Sequence, residues 1–160
     1  MYFYEEHLPC ENINGLSELR KHVKVPIASG ECEYMKYGFR DLIAYNAVDI
    51  IQPDLTRVGG LTEAKKIAAI AEAWNKVCIP HTFTSSIVGL AAAAHFAKST
   101  PNCPCIELDQ TPNPLRDSLA LEPLKVDKGR IYLSDKPGLG IELDENQVKK
   151  FLYNKPFVDI

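Results

Sequence analysis

At 160 residues, long enough to bury the core of a single domain, the chain carries 18 basic and 21 acidic side chains, a formal net charge of −3. A mildly acidic chain with no cluster of Lys and Arg has no electrostatic footprint for nucleic acid, and its apolar runs fall far short of the ~20 residues of a membrane-spanning helix. The N-terminus has no basic start followed by a hydrophobic stretch, so no secretory signal is read there and a soluble, cytoplasmic protein is expected.

In chain order, Tyr2-Phe3-Tyr4 reads as a first short strand. Leu16, Leu19 and Val23 repeat at helical spacing before a strand at Val25-Pro26-Ile27-Ala28. Phe39, Leu42, Ile43 and Ala47 mark a second helix, leading into the strand Val48 to Ile51. Leu61, Ala64, Ile67, Ala68 and Ala71 form a third stripe that ends near Trp74, ahead of Val77-Cys78-Ile79. Ile87, Leu90, Ala91 and Ala94 form a fourth, closed by Pro101-Asn102, and Cys105-Ile106 is a last strand. Strands alternating with helices of this length imply βαβ crossovers and a parallel sheet, an α/β fold. Residues 1–108 thus hold about five strands and four helices, about half of an eight-stranded barrel. Ile27 and Ile51 are expected to face the barrel interior, and the Tyr2-Phe3-Tyr4 strand to leave one edge open.

Residues 109–160 read as a C-terminal tail that wraps the barrel rather than a further βα unit. Pro112, Pro114 and Pro123 break regular structure. Asp127-Lys128-Gly129 is a turn between Leu124-Lys125-Val126 and Arg130-Ile131-Tyr132-Leu133. Pro137-Gly138-Leu139-Gly140 is a second breaker, and Asp144 caps a short last helix with Gln147 reaching back to it.

The cysteines are Cys10, Cys32, Cys78, Cys103 and Cys105, with no C-x-x-C pair, and they read as reduced packing residues. Cys78 and Cys105 fall in strands expected to be buried.

Five polar residues follow the strand-like runs at nearly equal intervals: Glu5, Glu31, Asp54, His81 and Glu107, with gaps of 26, 23, 27 and 26 residues. One polar residue at the C-terminal end of each successive strand is how a parallel barrel builds an active site. Each also has a bland reading. Glu5 and Glu6 could be a solvated strand end, Asp54 a turn cap, and His81 a satisfied histidine, the reading favoured for His7, His22 and His95. Arg57-Val58-Gly59-Gly60 before a helix suggests a phosphate cradle but lacks the full G-x-G-x-x-G or Walker pattern, and reads as a tight turn.

Together, Glu5-Glu6, Gly30-Glu31, Gln52-Pro53-Asp54, Gly59-Gly60-Leu61-Thr62-Glu63-Ala64, Pro80-His81 and Pro137-Gly138-Leu139-Gly140 resemble the C-terminal barrel of the enolase superfamily. The closest match is the mandelate racemase-like branch of the mandelate racemase/muconate lactonizing enzyme family. The resemblance implies the C-terminal part of a (β/α)8 barrel, about strands 4–8, with a tail that would pack on a capping domain missing here. It implies Glu5 and Glu31 as two of three carboxylates binding Mg²⁺, Asp54 and His81 as an acid/base dyad, and Glu107 as a hydrogen-bond partner of the substrate carboxylate. His7 stands where the family usually has proline. The family's third metal ligand, its lysine base and its capping domain have no counterpart in the sequence.

Carboxylate oxygens suit a hard divalent cation, and such a site supports removal of a proton α to a carboxylate, with histidine moving the proton. The expected function of the full-length parent is therefore Mg²⁺-dependent proton abstraction from a sugar acid or related acid. It would give dehydration when a β-hydroxyl is present, and racemisation or epimerisation otherwise. The alternative is a catalytically silent, truncated fragment or interaction partner, and by itself the chain is expected to be inactive. The oligomeric state stays open, a homo-oligomer included.

Overall fold

The computed structural model describes residues 1–152. Strands and helices alternate as β1 (Tyr4–Glu5), α1 (Ile13–His22), β2 (Ile27–Ser29), α2 (Met35–Ala44), β3 (Ile50–Ile51), α3 (Gly60–Ala73), β4 (Val77–Cys78) and α4 (Ile87–Lys98). The four strands pair in sequence order, every pair parallel, so each helix is a crossover between neighbours. Among the described residues β1 pairs with β2 alone, so its outer edge has no partner strand there. Side-chain caps start α1 and α4: Asn12 Oδ1 accepts from Gly15 N at 2.9 Å, and Ser86 Oγ from Gly89 N at 3.5 Å. No described helix is long and apolar enough to cross a membrane.

Successive side chains on a strand point to opposite faces, and the register makes that consistent across the sheet. Ile27, Ile51 and Cys78 lie on the helix side, buried against Leu16, Phe39, Leu42, Ile67 and Phe96 in the main core. Ala28, Ile50 and Ile79 lie on the other face, with Phe3 and Val77. Ile27 and Ile51, expected to point into the barrel, are therefore the helix-facing set, and the interior set is one residue out of phase with them.

Two further expectations are corrected. Cys105-Ile106 is not a strand: among the described residues one backbone bond, Cys78 N to Asn102 O at 3.0 Å, ties the approach to this segment to β4, no ladder follows it, and Cys105 is exposed while Cys78 is buried. Leu61, placed on the buried stripe of α3, is 39% exposed, whereas Glu63 is 5% exposed. Glu63 bridges two lysines that themselves reach solvent, so its buried carboxylate is charge-compensated.

The tail holds α5 (Pro114–Asp117), a hairpin of β5 (Lys125–Asp127) and β6 (Arg130–Tyr132), and α6 (Glu145–Lys150). Lys128 and Gly129 both take positive φ, +48° and +73°, the two-residue turn that fits the twist of a hairpin. The tail is moored on α4 and the turn before it: His95 Nε2 donates to Leu139 O at 3.1 Å, and Asn113 Nδ2 donates to Ser85 O at 3.1 Å. It also closes on itself, Ala120 bridging Leu143. Asp144 caps α6 as expected, but the Gln147 side chain accepts from Lys150 instead of reaching back. Residues 153–160 of the expected tail lie outside the described residues.

Candidate active site

The same alternation sorts the two adjacent glutamates. Glu5 aligns with Ala28 and Ile50, on the interior face. Glu6 turns to β2, where its carboxylate accepts from the Ser29 hydroxyl and from Gly30 N at 3.2 Å. Between β1 and β3 stands Gly30, at φ +128°, where a Cβ would come within 2.8 Å of Phe39 Cε1 and 3.3 Å of Gln52 N. Burial is the main influence raising the Glu5 carboxyl above its ordinary value; the Gln52 hydrogen bond opposes it, the Glu107 and Glu31 charges add to it, and His81 offsets part.

Asp54 sits three residues beyond β3. Its Oδ1 accepts from Thr56 N at 2.7 Å and Thr56 Oγ1 at 2.6 Å, a local turn that fixes the carboxylate. Its Oδ2 lies 3.1 Å from His81 Nδ1, and His81 Nε2 lies 3.1 Å from Glu31 Oε2. An imidazole flanked by two carboxylates can satisfy both only as a two-proton donor. Burial opposes that charge, yet the Asp54 hydrogen bond and the Glu31, Glu107 and Asp54 charges outweigh it and hold His81 above its usual value. Asp54 is held below its own ordinary value, because the hydrogen bonds from His81 and Thr56 exceed the effect of burial. Glu107 is anchored by Thr82, whose N–H donates to Glu107 Oε2 at 2.7 Å and whose hydroxyl donates to the Glu107 carbonyl at 2.7 Å.

The structure thus gathers Glu5, Glu31, Asp54, His81 and Glu107 at one mouth of the sheet. Three contacts were not foreseen. Glu31 faces His81 directly, Thr82 positions Glu107, and Gln52 meets Glu5. Asp-x-Thr at 54–56 is the one local signal that could have announced a supporting residue. His7 stacks on Tyr4, with centroids 4.7 Å apart. The glycine turn before α3 has Gly59 at φ +101° and Gly60 at +83°, and the first turn of the helix carries an acidic side chain, Glu63.

Glu63 organises the mouth from behind. Its Oε1 accepts from Lys36 N at 3.1 Å and Lys36 Nζ at 3.2 Å, and its Oε2 from Lys66 Nζ at 2.9 Å. Tyr34 cannot cap α2, so a carboxylate of α3 takes the orphan N–H instead. The loop bearing Glu31 is thereby tied to the helix that follows Asp54.

As cation ligands, Glu5 and Glu31 offer hard oxygen donors from neighbouring strand ends, and their mutual repulsion is one of the influences a divalent ion would relieve. They fit Mg²⁺ as a partial set: among the described residues no group of three or more His, Cys, Asp or Glu side chains is arranged to hold a metal.

Residues 1–147 match the family described as Enolase C-terminal domain-like. The chain is 32% identical over 161 residues to the D-galactarolactone cycloisomerase of Agrobacterium fabrum, covering 96% of this chain and 43% of that protein. It is 35% identical over 149 residues to the D-xylonate dehydratase of Haloferax volcanii, covering 93% and 36%. The solved 3,6-anhydro-D-galactonate cycloisomerase from Zobellia galactanivorans superposes with a TM-score of 0.90 at 38% identity, over 96% of this chain and 43% of that one. The chain spans less than half the length of these relatives.

Proposed function

This chain belongs to the Enolase C-terminal domain-like family, among mandelate racemase/muconate lactonizing enzymes, and on that premise we propose that it carries the acid/base residues of a Mg²⁺-assisted lyase or isomerase acting on a sugar acid or related acid. The reaction is removal of the proton α to the substrate carboxylate. The observation that supports it most is His81, held 3.1 Å from both Asp54 and Glu31 at the strand ends.

Asp54 fixes the ring through Nδ1, so Nε2, which faces Glu31 in this structure, is the atom that would exchange a proton with substrate once Glu31 turns to the cation. The surrounding carboxylates favour the charged ring, so His81 is suited to protonate a leaving β-hydroxyl as well as to return a proton to carbon. The first outcome is dehydration, the second racemisation or epimerisation. Glu107 hydrogen-bonds the substrate's acid group, a contact that needs one proton shared between the two carboxyls. Glu5 and Glu31 would hold part of the coordination of Mg²⁺, which when bound supplies positive charge against the negative charge developing on the substrate.

The second reading, a chain that is silent by itself and serves in an interaction, is favoured by the partial ligand set and by the open edge of β1. Deuterium uptake at the α-carbon of a panel of sugar acids, with Mg²⁺ present, separates the two. Uptake that disappears in His81→Asn and Asp54→Asn, with Mg²⁺ affinity unchanged by calorimetry, is expected of the first. Uptake retained in both variants would place the base elsewhere, and no uptake on any acid even when the remaining strands and third ligand are supplied would favour the second.

A further inference from the structure

At the opposite end of the sheet, where the strands begin, Tyr2, Arg20, Asp49, Trp74 and Lys76 line a cavity of about 470 Å³ floored by Ile50. An adjoining recess of about 210 Å³ shares Arg20 and Asp49 and adds Lys24. Three cations therefore surround one carboxylate in a chain whose net charge is −3.

That carboxylate is fully committed. Asp49 Oδ1 accepts from Arg20 Nε at 2.8 Å and Arg20 Nη2 at 2.5 Å, and Oδ2 from Ile27 N at 2.9 Å. Lys76 is the unbalanced group. It is 8% exposed, and its ammonium donates to one neutral acceptor, Asn46 Oδ1 at 2.6 Å, with no ion-pair partner among the described residues. An ammonium has three donors, and buried cations are ordinarily paired. Burial and the Arg20 charge draw Lys76 below its usual value, and the Asp49 charge only partly offsets them. Arg20 retains donors not spent on Asp49. Beside these cations stand two aromatic faces, Tyr2 at 67% and Trp74 at 55% exposed.

We infer that this cavity is a binding site for a small oxyanion carried on a flat apolar group, a phosphate monoester or a carboxylate, with Lys76 and Arg20 meeting the oxygens and Tyr2 and Trp74 flanking the ring. A phosphate and a carboxylate both offer what Lys76 lacks, charge-assisted acceptors. The inference does not depend on the acid/base reading of the mouth.

Trp74 is the chain's one tryptophan, so intrinsic fluorescence reports from the cavity itself. The 160-residue chain is titrated with phenyl phosphate, benzoate and inorganic phosphate, by fluorescence and calorimetry. Saturable binding is expected for at least one ring-bearing anion, tighter than for inorganic phosphate, and the order of phenyl phosphate and benzoate identifies the headgroup. Lys76→Met, which keeps the linear stem, should weaken the better ligand by about tenfold or more. Tyr2→Ala, at an exposed position that leaves the core untouched, should weaken the ring-bearing ligands and spare inorganic phosphate. No saturable response to any of the three overturns the proposal. So does unchanged affinity in a folded Lys76→Met chain, or, should that variant not fold, unchanged phenyl phosphate and benzoate binding in Tyr2→Ala.

Discussion

Glu6 holds the end of β2 through Ser29 and Gly30, while Glu5, its immediate neighbour, faces Gln52 and the other acids of the mouth. The two should respond oppositely to neutralisation. Glu6→Ala leaves the buried Ser29 hydroxyl and the Gly30 amide without their acceptor and should destabilise the fold by about 1–3 kcal/mol. Glu5→Gln removes a carboxyl whose raised folded pKa makes its ionised form unfavourable above the ordinary carboxylate range. Its stability by urea unfolding at pH 7 should equal or exceed the parent's, and the difference should shrink as the pH falls below that range.

His81 and Asp54 set a pH window at each end. With His81 raised, its stabilisation is complete below the ordinary histidine value of about 6.5 and is lost as pH rises through the higher folded value. With Asp54 depressed, its contribution is present above the ordinary aspartate value of about 3.9 and is lost as pH falls through the lower folded one. Asp54→Asn should shift the His81 imidazole titration, followed by nitrogen-detected NMR, toward lower pH. A titration that does not move would remove Asp54 as the source of the shift.

Glu63 is drawn down to about 2, first by Lys66, then by the Lys36 amide, against the effect of burial. Its contribution is intact above the ordinary carboxylate range and disappears as the pH falls toward that value. Glu63→Gln should move the acid-unfolding midpoint upward and speed hydrogen exchange at the Lys36 amide, while leaving that of β4 near the parent rate. Equal acid midpoints for variant and parent would contradict the assignment.

Gly30→Ala meets two obstacles, a positive φ and contacts with Phe39 and the Gln52 backbone. A loss of about 2 kcal/mol or more in denaturant unfolding is expected. A shift in the His81 titration should accompany it, because the added methyl displaces the β2 end that leads into Glu31.

The alternation of strand and helix was legible because each crossover repeats one hydrophobic period, and all four helical stripes found their helices. The mouth was legible for a related reason: strand ends recur at the same interval, so their polar residues do too. What failed were features that depend on partners distant in sequence. Glu63 stands off the apolar stripe expected for α3, and its burial follows only once Lys36, 27 residues away, supplies its neighbour. The facing of Ile27 and Ile51 is fixed only once the helices show which side of the sheet they cover. Cys105-Ile106 has strand composition, but composition does not show whether a neighbouring strand is in place to share its hydrogen bonds.

The tail closes upon itself before it meets the rest of the molecule: Leu121 N donates to Glu142 O at 2.9 Å and Asp144 N to Leu119 O at 2.8 Å, encircling the hairpin. Among the described residues its one hydrogen bond to α4 is His95 Nε2 to Leu139 O, and Leu124, Val126 and Ile131 face that helix across two cavities rather than bonding to it. Residues 119–144 therefore form a unit that can lift away intact, since its internal bonds and its moorings are separate sets. In amide exchange this predicts a cooperative sub-global opening, with β5 and β6 exposed together at a free energy below that of the parallel sheet. A protease meeting the native protein would then find the connecting segment between α5 and Leu119 long before it found any bond among the four strands.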